Sequence, residues 1–265
     1  MRAGIFSHRI AHCLLALLEK SLIGRVLTQA YFGRREKQGA ICFVAATRLS
    51  EVEFWKKSLL GKRLKSWRNI SGVKIRITFD NHQGLSKVYN EAIAEADVSD
   101  VLVFIHDDAW LLHEEALTDI WRALRRFDIV GIAGNTRRAP RQYAWYLRQL
   151  AEGGPVLDLP HLSGAVHYGE VFKTELHQFG PWPAECELLD GVLMAARVAV
   201  LRRTGLRFDE RFDFHFYDLD FSRTARQYGL KIGTWPIHLL HASKGNLEDP
   251  RWRSNLERYT VKWGD

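Results

Sequence analysis

Two acids, Asp218 and Asp220, stand two residues apart inside FHFYDLDFSRTARQYG, the most aromatic stretch of the chain. A carboxylate desolvated by rings favours its protonated form, which raises its pKa. A second acid pair, Asp107 and Asp108, ends the apolar run DVLVFIHDD. Adjacent carboxylates there offer hard oxygen ligands to Mg²⁺ or Mn²⁺ and leave coordination positions open for a substrate's phosphates. His241, in LLHASKG at the end of the last apolar run, adds an imidazole able to join them. Each group also has a structural role open to it. Asp218 can cap a helix with Asp220 in its first turn, Asp107 and Asp108 can start a turn, and His241 can be a satisfied core histidine. A third stretch, FDNHQGLSKVYNEA, puts Gly84 in a tight turn and Ser86 at the start of a helix. Free amides there suit an anion or a polar base edge, with Asn90 one turn further in, unless the stretch is a plain strand–turn–helix connection.

Other chemistries lack their signatures. The chain contains no GxSxG elbow and no GxxxxGK[ST] phosphate loop, and GIAGN is too short for a dinucleotide fingerprint.

The elements that must position these groups follow from hydrophobic periodicity. AICFVAAT, VKIRITFD, DVLVFIHDD and IVGIAGN read as strands, the first and third continuous enough to be buried on both faces. SKVYNEAIAEA and HEEALTDIWRALRRF between them read as helices, the latter with acids early and arginines late to match its dipole. Alternating strands and helices predict an α/β fold with an open, mostly parallel sheet. Ligands of such sheets bind beyond the carboxyl ends of the strands. The polar tails Thr47–Arg48, Asp80–Asn81 and Asp107–Asp108 are therefore expected to converge on one crevice. From Pro140 to Pro183 turn signals dominate; ELLDGVLMAARVAVLRRTG then gives a strand, a turn and a helix closed by Gly205, and LKIGTWPIHLLHASKG one more strand.

With 265 residues and 46% hydrophobic content the chain can bury a large core, and 12% aromatic residues argue against disorder. Three scattered cysteines without a CxxC pair argue against a disulfide framework and for a reducing compartment, the cytoplasm. The net charge of +7 favours an anionic partner: nucleic acid, anionic lipid or a phosphorylated substrate. No apolar run approaches the roughly 20 residues of a membrane span. CLLALL is stopped by Glu19 and Lys20 and precedes no convincing cleavage site. Ile10, Cys13, Leu14, Leu17 and Leu18 fall at helical spacing, so residues 1–36 read as an amphipathic extension. It either lies on a membrane surface or docks on the protein or a second copy as a homodimer. The charged GRREKQG linker separates it from a domain spanning 37–265.

The order of NHQGLSKVYNEAI, FIHDDAW, LDGVLMAARVAVLRRTG, FYDLDFSRTARQYGLKI and the late histidine resembles the family 2 glycosyltransferases of the GT-A fold, particularly the bacterial rhamnosyl- and galactosyl-transferase-like members. The resemblance covers Ala40 to Gly245. It implies that Asp108 and His241 hold Mn²⁺ or Mg²⁺, that Asp218 is the general base, and that Asp220 orients its helix and loop, with Arg223 or Arg226 the basic residue of that helix. It further implies nucleotide-sugar contacts from Thr47, Arg48, Asp80, Asn81, Gly84, Leu85, Ser86, Asn90, His106 and Asp107, and an acceptor pocket formed by Trp182, Asp190, Gly191 and Tyr217. Two positions depart from the family pattern: His106 stands where the metal motif has its first Asp, and Tyr217 where a Glu is usual.

The expected protein is a metal-dependent, inverting glycosyltransferase. Its donor is a nucleotide-diphosphate sugar and its acceptor a cell-surface glycan or lipid-linked precursor, met in the cytoplasm or at the cytoplasmic face of the inner membrane. Two other classes compete: an inactive homologue acting as a scaffold, and a basic nucleic-acid-binding protein. Against the latter, Arg137, Arg138 and Arg141 are not joined by any recognisable binding module, so no nucleic-acid partner is expected.

Overall fold

The computed structural model describes residues 39–149, 154–243 and 249–264, which belong to one compact unit beginning at Gly39. The expected amphipathic extension of residues 1–36, with its membrane and homodimer alternatives, lies outside the described residues. Among the described residues no helix is long and apolar enough to cross a membrane.

The apolar runs of the first half form the strands expected of them. β1 (Ile41–Ala46) leads through α1 (Glu51–Lys57) and α2 (Leu59–Trp67) to β2 (Val73–Thr78), and α3 (Leu85–Glu95) leads to β3 (Val101–Ile105). A capping box starts α1: the Ser50 hydroxyl accepts from the Glu53 amide while the Glu53 carboxylate accepts from the Ser50 amide. β2 and β3 both pair in parallel with β1, and β3 is buried along its whole length. After β4 (Ala109–Leu111) and α4 (Ala116–Ala123), IVGIAGN does not make one strand. It bends at Ile132 into β5 (Ile129–Gly131) and β6 (Ala133–Asn135), which join different sheets.

The stretch expected to be loop-rich is substantially β. Two short strands, β7 (Leu147–Gln149) and β8 (Pro155–Leu157), pair with each other. A long antiparallel hairpin follows, β9 (Leu162–Glu170) and β10 (Lys173–Gly180). β10 is largely solvent-exposed. Its polar residues therefore mimic loop composition, because an antiparallel ladder tolerates water on one side. β11 (Ala184–Cys186), β12 (Leu188–Leu189) and β13 (Leu193–Arg197) lead into α5 (Val198–Thr204), which Gly205 closes in a left-handed conformation. α6 (Tyr217–Gln227), β14 (Ile232–Thr234), β15 (Leu239–His241) and α7 (Pro250–Trp263) complete the described chain.

The α/β class holds, with one correction. The seven-stranded sheet, ordered β11–β14–β5–β13–β3–β1–β2, is mixed rather than mostly parallel. β13 runs antiparallel to both β3 and β5, and β11 antiparallel to β14. The cause is topological: β13 is reached after the excursion through the second sheet, not through a crossover helix from β5, so it enters from the opposite end. The second sheet runs β12–β6–β9–β15–β4, with β10 on β9. Its β4–β15 pairing sets His241 opposite Ala109.

α7 was not foreseen, although Asp249 followed by Pro250 is a helix-start signal. It clamps α6. Asp220, 1% exposed, accepts from Trp263 Nε1 at 2.9 Å and pairs with Lys262 at 2.7 Å, and Arg223 lies 4.1 Å over the Trp263 ring. Lys262 retains Asp209 as a partner when Asp220 is removed. Asp220→Ala is therefore expected to cost about 2 kcal/mol, the scale of hydrogen bonds to a charged group. That is a melting-temperature loss of about 4–8 °C, readable by calorimetry. An unchanged melting temperature would show that α7 does not depend on this contact.

Candidate active site

A cavity of about 660 Å³ opens where the end of β3, the turn before β13, the start of α6 and the end of β15 meet. Three groups on its wall form a compact donor set. The ligating atoms of His106, Asp108 and His241 all lie within 4.8 Å of one another. The backbone explains the encounter: β15 runs antiparallel to β4, and the Ala242 amide donates to the Asp108 carbonyl at 3.1 Å, which lays His241 over Asp108. The two side chains stand 3.3 Å apart, and Ser243 Oγ lies 3.1 Å from His241 Nε2. Burial alone would raise the Asp108 pKa, but the hydrogen bond and charge of His241 outweigh it and hold the carboxyl well below its usual range. Burial likewise opposes charge on His241, and Asp108 reverses the balance, so His241 titrates above its ordinary value. Two imidazoles with one carboxylate suit a divalent ion that accepts both nitrogen and oxygen.

From this set a hydrogen-bonded chain leads to the second pair of acids. His106 Nε2 meets the Tyr217 hydroxyl at 2.8 Å, and Tyr217 donates to the Gly191 carbonyl at 3.0 Å. The two departures from the family pattern are thus partners. The Gly191 amide donates to Asp218 Oδ2 at 3.0 Å and the Leu219 amide to Oδ1 at 2.9 Å. Burial, then the charge of Asp190, push Asp218 up to about 7, and these amide bonds oppose the rise without cancelling it. Asp218 is therefore not the N-cap of α6. That position belongs to Phe216, in a left-handed conformation with φ 68°. Such a backbone costs an L-residue about 1–2 kcal/mol. Burial of the Phe216 ring against Trp252 and Tyr259 of α7 offsets it and turns Tyr217 and Asp218 into the cavity.

Gly191 has no room for a side chain: a Cβ there would lie 2.2 Å from the Tyr217 hydroxyl and 3.0 Å from Asp218 Cβ. Gly191→Ala must displace Tyr217 from His106. Overpacking of this kind costs about 1–3 kcal/mol, to be measured by urea unfolding. A variant as stable as the parent would mean that Tyr217 moves freely.

Of the residues expected at the site, Leu85, His106, Asp107, Asp108, Asp190, Gly191, Tyr217, Asp218 and His241 line the cavity. Thr47 reaches it through Asp107, donating to its carboxylate at 2.5 Å. The others are not brought to the wall. Ser86 donates to the Phe212 carbonyl, and Asn90 closes on Phe208 and Glu210. Gly84 is pressed against the Asp213 backbone, which stands 2.8 Å from where its Cβ would be. The start of α3 is thus taken up by residues 208–213, with Asp213 accepting from the Leu85 amide, rather than left free for an anion. Asn81 folds back on Gln83, Asp80 takes a left-handed turn, and Arg48 is exposed. Trp182 stands against His238 outside the cavity, and Asp220 faces α7. Residues not anticipated at the wall include Tyr89, one turn after Leu85 on α3, and Tyr143, Trp145 and Tyr146. The Leu85–Tyr89 spacing carried a signal for the first. The tyrosine-rich QYAWY stretch carried only a compositional one.

A family model described as a glycosyltransferase-like family matches residues 20–253. No curated protein matches the sequence. Among solved structures, the chain is similar to TarS 1–349 of S. aureus, with 13% identity, 84% of this chain and 64% of that one covered, and a TM-score of 0.46. It is similar to the mannosyltransferase PcManGT from Pyrobaculum calidifontis, solved with GDP-Man and Mn²⁺, with 13% identity, 96% and 76% covered and a TM-score of 0.47. GalNAc-T7, solved with UDP, GalNAc and Mn²⁺, matches with 12% identity and a TM-score of 0.49 over 87% of this chain, which spans 49% of that one.

Proposed function

The chain belongs to the glycosyltransferase-like family whose model matches residues 20–253, and we propose that it is a glycosyltransferase that transfers a sugar with inversion from a nucleotide diphosphate to a hydroxyl of a glycan or lipid-linked glycan, in a metal-dependent reaction. One observation carries this reading: a carboxylate held up to about 7 and a His–Asp–His donor set line the same cavity, joined through Tyr217. Asp218 takes the proton of the acceptor hydroxyl, whose oxygen forms a bond to the anomeric carbon as the bond to the diphosphate breaks on the opposite face. His106, Asp108 and His241 would hold the divalent cation, which supplies positive charge to the leaving diphosphate. The two imidazoles favour Mn²⁺ over Mg²⁺, which prefers oxygen ligands throughout. Asp107, fixed by Thr47 at its carboxylate and by the Ser58 hydroxyl at its carbonyl, would stand beside the nucleotide.

A panel of nucleotide-diphosphate sugars tests the reading by thermal shift with and without Mn²⁺. A ligand present at 100 times its Kd adds about 2.7 kcal/mol of stability, or about 5–10 °C. The expected result is such a shift for at least one sugar nucleotide, only with the metal. No shift from any nucleotide sugar under either condition would overturn it.

A further inference from the structure

We infer that the part of the cavity around Asp190 is the acceptor subsite and that it takes an uncharged sugar, an inference that rests on the transfer reading above. Asp190 is held at both oxygens: Trp145 Nε1 donates to Oδ2 at 2.6 Å and the Val192 amide to Oδ1 at 2.8 Å. Trp145 stands edge-on to Tyr146 and Phe179, with ring centroids 5.4 and 5.1 Å away. Tyr168, from β9, joins them on the wall. Burial and then the charge of Asp190 raise the pKa of both Tyr146 and Tyr168, which places these rings within its field. Rings around an oriented carboxylate match a sugar: its C–H faces lie on the aromatic surfaces and its hydroxyls donate to the carboxylate's remaining lone pairs. Asp190 immediately precedes Gly191, whose amide holds Asp218, so a sugar bound there lies next to the base.

The charge of the wall selects against an anionic acceptor. Four carboxylates, Asp107, Asp108, Asp190 and Asp218, face the cavity, and among the described residues no lysine or arginine lines it. Of the arginines near QYAWY, Arg137 makes a two-pronged contact to buried Asp158, Arg148 lies 3.7 Å from the same carboxylate, and Arg141 is exposed and not part of the wall. A phosphate or carboxylate on the bound sugar would meet Asp190 and Asp218 without a compensating cation from these residues.

The test uses the full chain with UDP and Mn²⁺, and neutral methyl glycosides of glucose, galactose, rhamnose and N-acetylglucosamine as probes, read by saturation-transfer NMR. Methyl glucuronide serves as the anionic counterpart of the glucoside. At least one neutral glycoside is expected to bind, with the glucuronide weaker than the glucoside by about tenfold or more. Tyr168→Ala is expected to weaken the glycoside about tenfold, the scale of a lost ring contact, and to leave nucleotide affinity unchanged. Tyr168→Phe is expected to retain most glycoside binding if the ring face is what matters. Phe172→Ala, at the fully exposed tip of the same hairpin, is expected to change neither. The inference is overturned if the protein binds nucleotide but none of the neutral glycosides, if an anionic probe binds as tightly as its neutral counterpart, or if folded Tyr168→Ala binds glycoside normally. Glycoside binding by a chain that binds no nucleotide would instead overturn the transfer reading and leave a sugar site.

Discussion

Asp218→Asn is expected to lower turnover by about 10²–10⁴-fold, the usual cost of a lost general base, and to leave nucleotide affinity unchanged, since in the proposed reaction this carboxylate faces the acceptor. The same variant has a signature in stability. The Asp218 carboxyl is held up to about 7 in the folded chain, against an ordinary value of 3.8. Between these values the folded chain keeps a proton that the unfolded chain has lost. Stability from this group is therefore full below about pH 4 and is lost as pH rises through about 7. Asparagine carries no such penalty, so Asp218→Asn gains stability relative to the parent between pH 5 and pH 8. Activity of the parent moves the opposite way, rising through about pH 7 as the base form appears. Urea unfolding of both proteins at the two pH values, beside turnover at saturating donor, checks both halves. Near-normal turnover with no relative gain in stability would return Asp218 to a structural role.

Removing the Asp108 carboxylate is expected to abolish the proposed Mn²⁺-dependent nucleotide binding while the fold survives. Loss of an outer-shell partner of a metal costs about 10–100-fold in affinity, and loss of a direct ligand is expected to exceed that. The fold is spared because what Asp108 gives to the sheet is its main chain, the carbonyl that accepts from Ala242, which Asp108→Ala keeps. Titration calorimetry of UDP into the parent with Mn²⁺, into the parent with excess chelator, and into Asp108→Ala makes the comparison. Undiminished binding in chelator would falsify the metal reading. His241→Ala should follow Asp108→Ala, because β15 exists at this point to lay one over the other.

Much of this arrangement was legible from the sequence where local physics decides it. β1 and β3 announced themselves as continuous apolar runs, and the acids after β3 do line the cavity, because a strand end fixes where its next residues emerge. Gly84, Ser86 and Asn90 stand apart from the cavity for the opposite reason. Their types suit an anion-binding helix start, but Ser86 and Asn90 spend their hydrogen bonds on a segment more than a hundred positions away, which no local pattern encodes. The bend at Ile132 and the β9–β10 hairpin were hidden likewise: which sheet a strand joins depends on its partners, and an exposed antiparallel strand has the composition of a loop. Asp218 was legible as a perturbed acid from its neighbours in sequence, yet two of the groups that act on its carboxyl, Asp190 and the Gly191 amide, come from another part of the chain.

The hydrogen bond between His106 and Tyr217 joins positions 111 residues apart, and its consequence is one of inheritance. His106→Asp alone leaves the Tyr217 hydroxyl without its imidazole and adds a carboxylate beside Asp107 and Asp108. Tyr217→Glu alone takes from the Gly191 carbonyl its phenolic donor. Each single change strands a buried polar partner, at a cost of about 1–3 kcal/mol, and the double change adds to it, because it sets two carboxylates where an imidazole met a phenol. The two positions are therefore epistatic: their effects in a double-mutant cycle are not additive. Neither position can be exchanged without regard to the other. The site behaves as one allele written in two distant places.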